Sequence, residues 1–115
     1  MPGENLTFAT KGEALKAGFI PAKVRTVERY RGGRIYIADV SGPNAFGYEF
    51  ALRAELNGRT LGTFALSRSI WLTEARNRIG QPGAFTVMFA PEDFDRGLRA
   101  AREAIDKALE RSEGA

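Results

Sequence analysis

From Phe46 to Leu56 the chain alternates without a break. Phe46, Tyr48, Phe50, Leu52, Ala54 and Leu56 take one parity, and Gly47, Glu49, Ala51, Arg53 and Glu55 take the other. A period of two is the signature of a half-buried strand. Asn57-Gly58 follows at once, a pair that tolerates the positive φ angles of a type I′ turn, so Arg59–Ser67 is expected to return as the second strand of a hairpin. Upstream, Ala22–Tyr30 and Arg34–Val40 are rich in Val, Ile, Thr and Tyr and flank Gly32-Gly33, which predicts an earlier hairpin closed by those two glycines. Ser41-Gly42-Pro43-Asn44 separates the hairpins as a turn cluster, and Ala84–Ala90 alternates again as a fifth strand.

Elsewhere the pattern is helical. Thr10 and Glu13 have capping-box spacing, with Gly18 and Pro21 as stops, which predicts a short helix near 11–17. Ser69 can cap a helix over Ile70–Ile79, where Leu72, Ala75 and Ile79 share a face and Gly80, Pro82 and Gly83 end it; a strand through Ile70-Trp71-Leu72 competes. Pro91 suits a first helical position, with Glu92, Asp93 and Asp95 at the positive end of the dipole. Phe94, Leu98, Ala101, Ile105 and Ala108 then form an apolar stripe. Met1–Phe8 has no clear period and reads as a flexible tail or an edge element. The expected fold is a single α+β domain over 1–115, with its core in 22–110. Its antiparallel sheet has four or five strands from two consecutive hairpins and is backed by the C-terminal helix.

Composition narrows the chemistry. The 115 residues, 43% hydrophobic and 27% charged, suffice for one core without a metal or disulfide. Absence of Cys removes thiolate metal sites, and absence of His removes the commonest general base and the usual zinc ligands. Glu28 and Asp39 fall on one strand-pair face and could hold magnesium, but no third carboxylate stands at a nuclease-like spacing, so a salt bridge or a solvated pair explains them better. Gly12, Gly32-Gly33 and Gly80 form no phosphate-binding loop motif. No catalytic residue, metal or cofactor is expected. No apolar run reaches the roughly 18 residues of a membrane span, and the first residues lack a signal-peptide pattern, so a cytoplasmic location is expected.

Charge points further. The net charge is only +3, yet 13 of the 17 basic residues are Arg. Arginine suits phosphate contact and stacking on bases, although a GC-rich genome gives the same bias, and scarce Gln, Asn, Met and Cys suit a thermophile. A hairpin closed on Gly32-Gly33 pairs Arg31 with Arg34, Arg29 with Tyr36 and Arg25 with Val40. One face then carries Arg25, Arg29, Arg31, Arg34 and Tyr36, and the other carries Val24, Thr26, Tyr30, Ile35 and Ile37. Clustered like charges repel, which favours an anionic ligand. Arg53 and Phe64 extend that surface, Arg68 and Trp71 follow it, and Glu49 and Glu55 oppose it. The alternatives are a solvated sheet face for the arginines and a core position for Trp71.

The order of hairpin, hairpin and terminal helix, with Gly33-Arg34-Ile35-Tyr36-Ile37 after the first turn and Pro91-Glu92-Asp93-Phe94 opening the helix, resembles the Pur-alpha and Whirly group of single-stranded nucleic-acid-binding domains. Lys11-Gly12-Glu13-Ala14-Leu15 is faintly similar to the lysine-glycine-lysine-alanine-alanine-leucine motif of Whirly proteins. A basic, compact sheet backed by helices also looks like the archaeal ThermoDBP family. Either resemblance implies sequence-tolerant binding of single-stranded DNA or RNA, often by a dimer. The expected function is therefore non-catalytic single-strand binding through Arg and aromatic residues. A homodimer is expected from exposed sheet edges and from Ile105 and Leu109 as apolar residues left over on the helix. The alternative is a protein-interaction module whose basic face meets an acidic partner.

Overall fold

The computed structural model describes residues 6–42, 49–73 and 84–114. It is an α+β protein with two sheets of four strands each. The elements are β1 (Leu6–Phe8), α1 (Lys11–Lys16), β2 (Ile20–Pro21), β3 (Arg25–Tyr30), β4 (Gly33–Asp39), β5 (Phe50–Leu56), β6 (Arg59–Leu66), β7 (Arg68–Leu72), β8 (Ala84–Phe89) and α2 (Pro91–Gly114). One sheet is the meander β3-β4-β5-β6, and the other runs β1-β7-β8-β2, with β1 parallel to β7. No described helix is long and apolar enough to cross a membrane.

Two expectations change and a third is decided. The fifth strand joins a second sheet instead of extending the first. Residues 70–72 are strand, paired with 84–86, so the helix over 70–79 does not begin where the pattern placed it; its remaining residues from 74 lie outside the described residues. Ile70 and Leu72 are buried beside Met88 and Ala14, which rewards a period of two there. Of the two readings of the first segment, tail or edge element, Leu6–Phe8 takes the second: it is an edge strand paired with Ile70–Leu72. The first helix is as expected: the Thr10 hydroxyl accepts from the Glu13 N–H at 3.1 Å, and the Glu13 carboxylate accepts from the Ala9 N–H at 3.2 Å. Residues 43–48, where the turn cluster and the start of the alternating strand were expected, lie outside the described residues.

The main core lies between the meander and α2. Ile35, Ile37, Leu52, Ala54 and Leu56 from the sheet meet Phe94, Ala101 and Ile105 from the helix, and Phe89 joins from the second sheet. Two glycines set how closely these layers approach. A Cβ on Gly97 of α2 would stand 2.9 Å from the Ala65 Cβ and 3.0 Å from the Phe64 carbonyl oxygen, contacts too short for carbon. A Cβ on Gly33 would meet the Ile105 Cδ1 at 2.9 Å and the Glu55 carbonyl at 3.0 Å. Gly33 is therefore needed in the strand, under the helix, and the hairpin closes one residue earlier than expected, on Arg31-Gly32 with φ of 49° and 86°. The second hairpin closes on Asn57-Gly58 as the sequence predicts, with φ of 54° and 77°.

Candidate nucleic-acid interface

Moving the first turn by one residue slides β3 by two positions along β4 and takes Arg31 out of the strand, but as far as the β3 bulge it leaves odd-numbered residues of β3 beside even-numbered residues of β4. Tyr30 pairs with Gly33, Arg29 with Arg34 and Glu28 with Ile35; Val27 is then an extra residue in a bulge, after which Thr26 pairs with Tyr36 and Arg25 with Ile37. Of the five residues expected together, Arg29, Arg34 and Tyr36 lie on the face away from α2. The bulge carries Arg25 to the helix-side face opposite Ile37. Arg31 sits in the turn itself, and its guanidinium meets Asp106 of α2 at 2.6 Å.

The remaining candidates divide similarly. Arg53 pairs with Tyr36 across β4 and β5 and with Thr63 across β5 and β6, so it joins the open face, and its Nε donates to the Thr63 hydroxyl at 3.2 Å. Phe64 does not join. It is the extra residue of a bulge between the Leu52–Ala65 and Arg53–Thr63 pairs, and it packs against the core beside α2. Arg68 is bonded through Nε and Nη2 to Asp93, at 3.0 and 2.9 Å, and ties β7 to the first turn of α2. Trp71 lies on the second sheet, opposite Phe85, with ring centroids 4.2 Å apart and planes at 61°. It is half-buried, outside both core clusters, while Phe85 is 61% exposed.

The open face thus consists of cross-strand rows. One reads Thr26, Tyr36, Arg53, Thr63, and the next reads Arg29, Arg34, Glu55, Thr60. A third, Ala38, Ala51, Leu66, closes it with apolar groups. Successive rows are two residues apart, about 7 Å. Three guanidiniums face one carboxylate across the two polar rows. The Arg34 guanidinium lies 4.3 Å from the Tyr36 ring centroid and meets Glu55 at 2.7 Å. Its Nε is buried without a hydrogen-bond partner, and Arg29 has no ion pair among the described residues. α2 packs on the other face through β4, β5 and β6; on this one Arg34, Tyr36 and Arg53 are half-buried, and Ala51 in the apolar row is buried.

The helix side spends its charges internally. Arg102 of α2 makes a two-armed contact with Glu28, at 2.9 and 2.7 Å, and those hydrogen bonds hold the Glu28 carboxyl below its usual range against the opposing effect of desolvation. Tyr30 donates to Asp106 at 3.1 Å, which raises the phenol's pKa. The Arg31 contact is the main cause that lowers the Asp106 pKa. Glu28 and Asp39 do not pair: the Asp39 carboxylate accepts from the Ser41 N–H at 2.8 Å, which lowers its pKa. Among the described residues no group of three acidic side chains could hold a metal ion.

Neither the turn shift nor the bulges are marked by a residue type that excludes the expected register. The helix-side acids Glu28, Asp93 and Asp106 were visible as charges but not as partners, because their arginines lie 25 to 75 residues away. Compared with protein-family models, curated proteins and solved structures, the chain matches none.

Proposed function

We propose that the protein binds single-stranded DNA or RNA, without catalysis and with little sequence preference, on the open face of the β3–β6 sheet. The observation that carries this reading is the pair of adjacent rows in which Tyr36 stands beside Arg34 and Arg53, with Arg29 next to Arg34. Guanidiniums supply phosphate contacts, and an aromatic ring supplies a surface on which any base can stack. A row spacing of about 7 Å is of the order of one nucleotide step in an extended strand. Replacing both Arg29 and Arg53 by Ala tests the reading. In anisotropy titrations with labelled oligothymidylate at about 50 and about 200 mM salt, the double variant is expected to bind more weakly, its log–log salt slope flattened by about 0.7 per lost phosphate contact. Binding equal to the parent's would refute it, and equal affinity for duplex would refute the single-strand preference.

A protein partner is the second reading, favoured by the exposed Phe85 ring and the half-buried Trp71 that it packs against. Phe85 borders a shallow groove with Ala22, Phe50, Thr86 and Val87. The helix seam is not available to such a partner, because Ile105 is fully buried and Leu109 packs against the same core.

A further inference from the structure

We infer that Glu55 is a built-in competitor for the anion bound by the open face, so that this carboxylate lowers the affinity of the site in which it stands; the inference rests on the nucleic-acid reading. Arg34 is flanked in its row by Arg29 on one strand and Glu55 on the other. With no ligand bound, Glu55 offsets the repulsion between two directly opposed guanidiniums. The offset is incomplete and one-armed: a single Nη2–Oε1 contact of 2.7 Å is present, while Nε stays without a partner. A carboxylate committed to holding an arginine commonly takes both arms of the guanidinium, as Glu28 does with Arg102. The Arg34 and Glu55 side chains retain 37% and 28% of their exposure, so an incoming phosphate reaches the same guanidinium from solvent. It must then displace the carboxylate or bind beside a like charge.

Glu55→Gln removes the charge and keeps the shape. Oligothymidylate is expected to bind this variant about 3- to 10-fold more tightly at about 50 mM salt, with a salt slope steeper by about 0.7. If Glu55 instead positions Arg34 for the ligand, the same variant binds more weakly; if it is a bystander, nothing changes. Either result overturns the inference. Glu55→Thr, which matches Thr60 across the ladder, is expected to tighten binding as well, and circular dichroism checks that both variants are folded. The Arg29/Arg53 double variant, run beside them, separates two failures. Weakening there with no gain from Glu55→Gln leaves the nucleic-acid reading standing and removes only the competitor. No weakening there removes the reading itself.

Discussion

Arginine keeps different company on the two faces of the β3–β6 sheet. Toward α2, Arg102 is held by Glu28 and Arg31 meets Asp106, which also accepts from Tyr30. Away from α2, Arg29 has no ion pair among the described residues, Arg53 bonds a threonine hydroxyl, and the one carboxylate of the row, Glu55, meets Arg34 alone. The paired arginines fasten a helix to a sheet. The others stand in excess on the face away from α2, and the proposal of a single-strand site rests on that excess, not on the total arginine content. Arg68 belongs with the first group, since Asp93 takes it at the opening of α2.

The largest effect is expected from prying the covered face open. Gly97→Val places carbon against the Ala65 Cβ and the Phe64 carbonyl, neither of which can swing aside. It should cost about 3 kcal/mol and lower Tm by about 10 °C in a thermal melt, with oligonucleotide binding by the remaining folded protein little altered. A Tm within about 2 °C of the parent would mean that the helix does not sit this close.

On the open face, Tyr36→Ala is expected to weaken oligothymidylate binding by about 1–3 kcal/mol with little change in salt slope, because stacking releases no counterions. Unchanged affinity would take Tyr36 out of the interface and leave a purely electrostatic surface.

The meander and the terminal helix were legible in the sequence because alternation over 50–56, the Asn57-Gly58 pair and the apolar stripe from Phe94 to Ile105 each report a local period that tertiary packing then satisfies. The second sheet was legible only in pieces: the strand from Ala84 was expected, but a stretch as short as Ile70-Trp71-Leu72 fits both periods, and its other partner, Leu6–Phe8, lies more than sixty residues away. The membership of the open face was partly legible. Arg29, Arg34, Tyr36 and Arg53 share the surface, but Arg25, Arg31 and Phe64 were displaced by one turn shift and two bulges. A period-two pattern reverses its faces at each bulge, whereas the turn shift keeps the faces and only moves Arg31 from the strand into the turn. The turn shift has its cause in Ile105, more than seventy residues from Gly33, where only a missing Cβ lets the side chain fit.

A smaller effect contrasts the two arginine groups by stability. Arg102→Ala breaks the two-armed contact with Glu28 and should lower stability by about 0.5–1 kcal/mol, reduced by the partial exposure of both side chains. Arg29→Ala removes a charge opposed by another arginine and should stay within about 0.5 kcal/mol of the parent, or rise. Equal losses for the two variants in urea denaturation would erase the distinction between fastening and free arginines.

The smallest effect lies in the pH dependence of the melt. Glu28 and Asp106 are held below their usual pKa by Arg102 and Arg31, so folding binds fewer protons than the unfolded chain in the acid range. Their contribution is complete above the unfolded values near about 4 and is lost as pH falls through the lower folded values. Tyr30 behaves oppositely. Its phenol is raised by donating to Asp106, so its contribution is complete below the unfolded value of about 10 and is lost as pH rises through the folded one. Tm measured by circular dichroism should therefore be flat across neutrality and fall on both sides. Tyr30→Phe should remove part of the alkaline fall, and Glu28→Gln part of the acid fall. Asp106→Asn, which takes away the charge that Arg31 and Tyr30 share, should soften both. Arg53→Ala on the open face should leave the profile's shape unchanged; a profile altered by Arg53→Ala and not by Asp106→Asn would place the stabilising charges on the wrong face of the sheet.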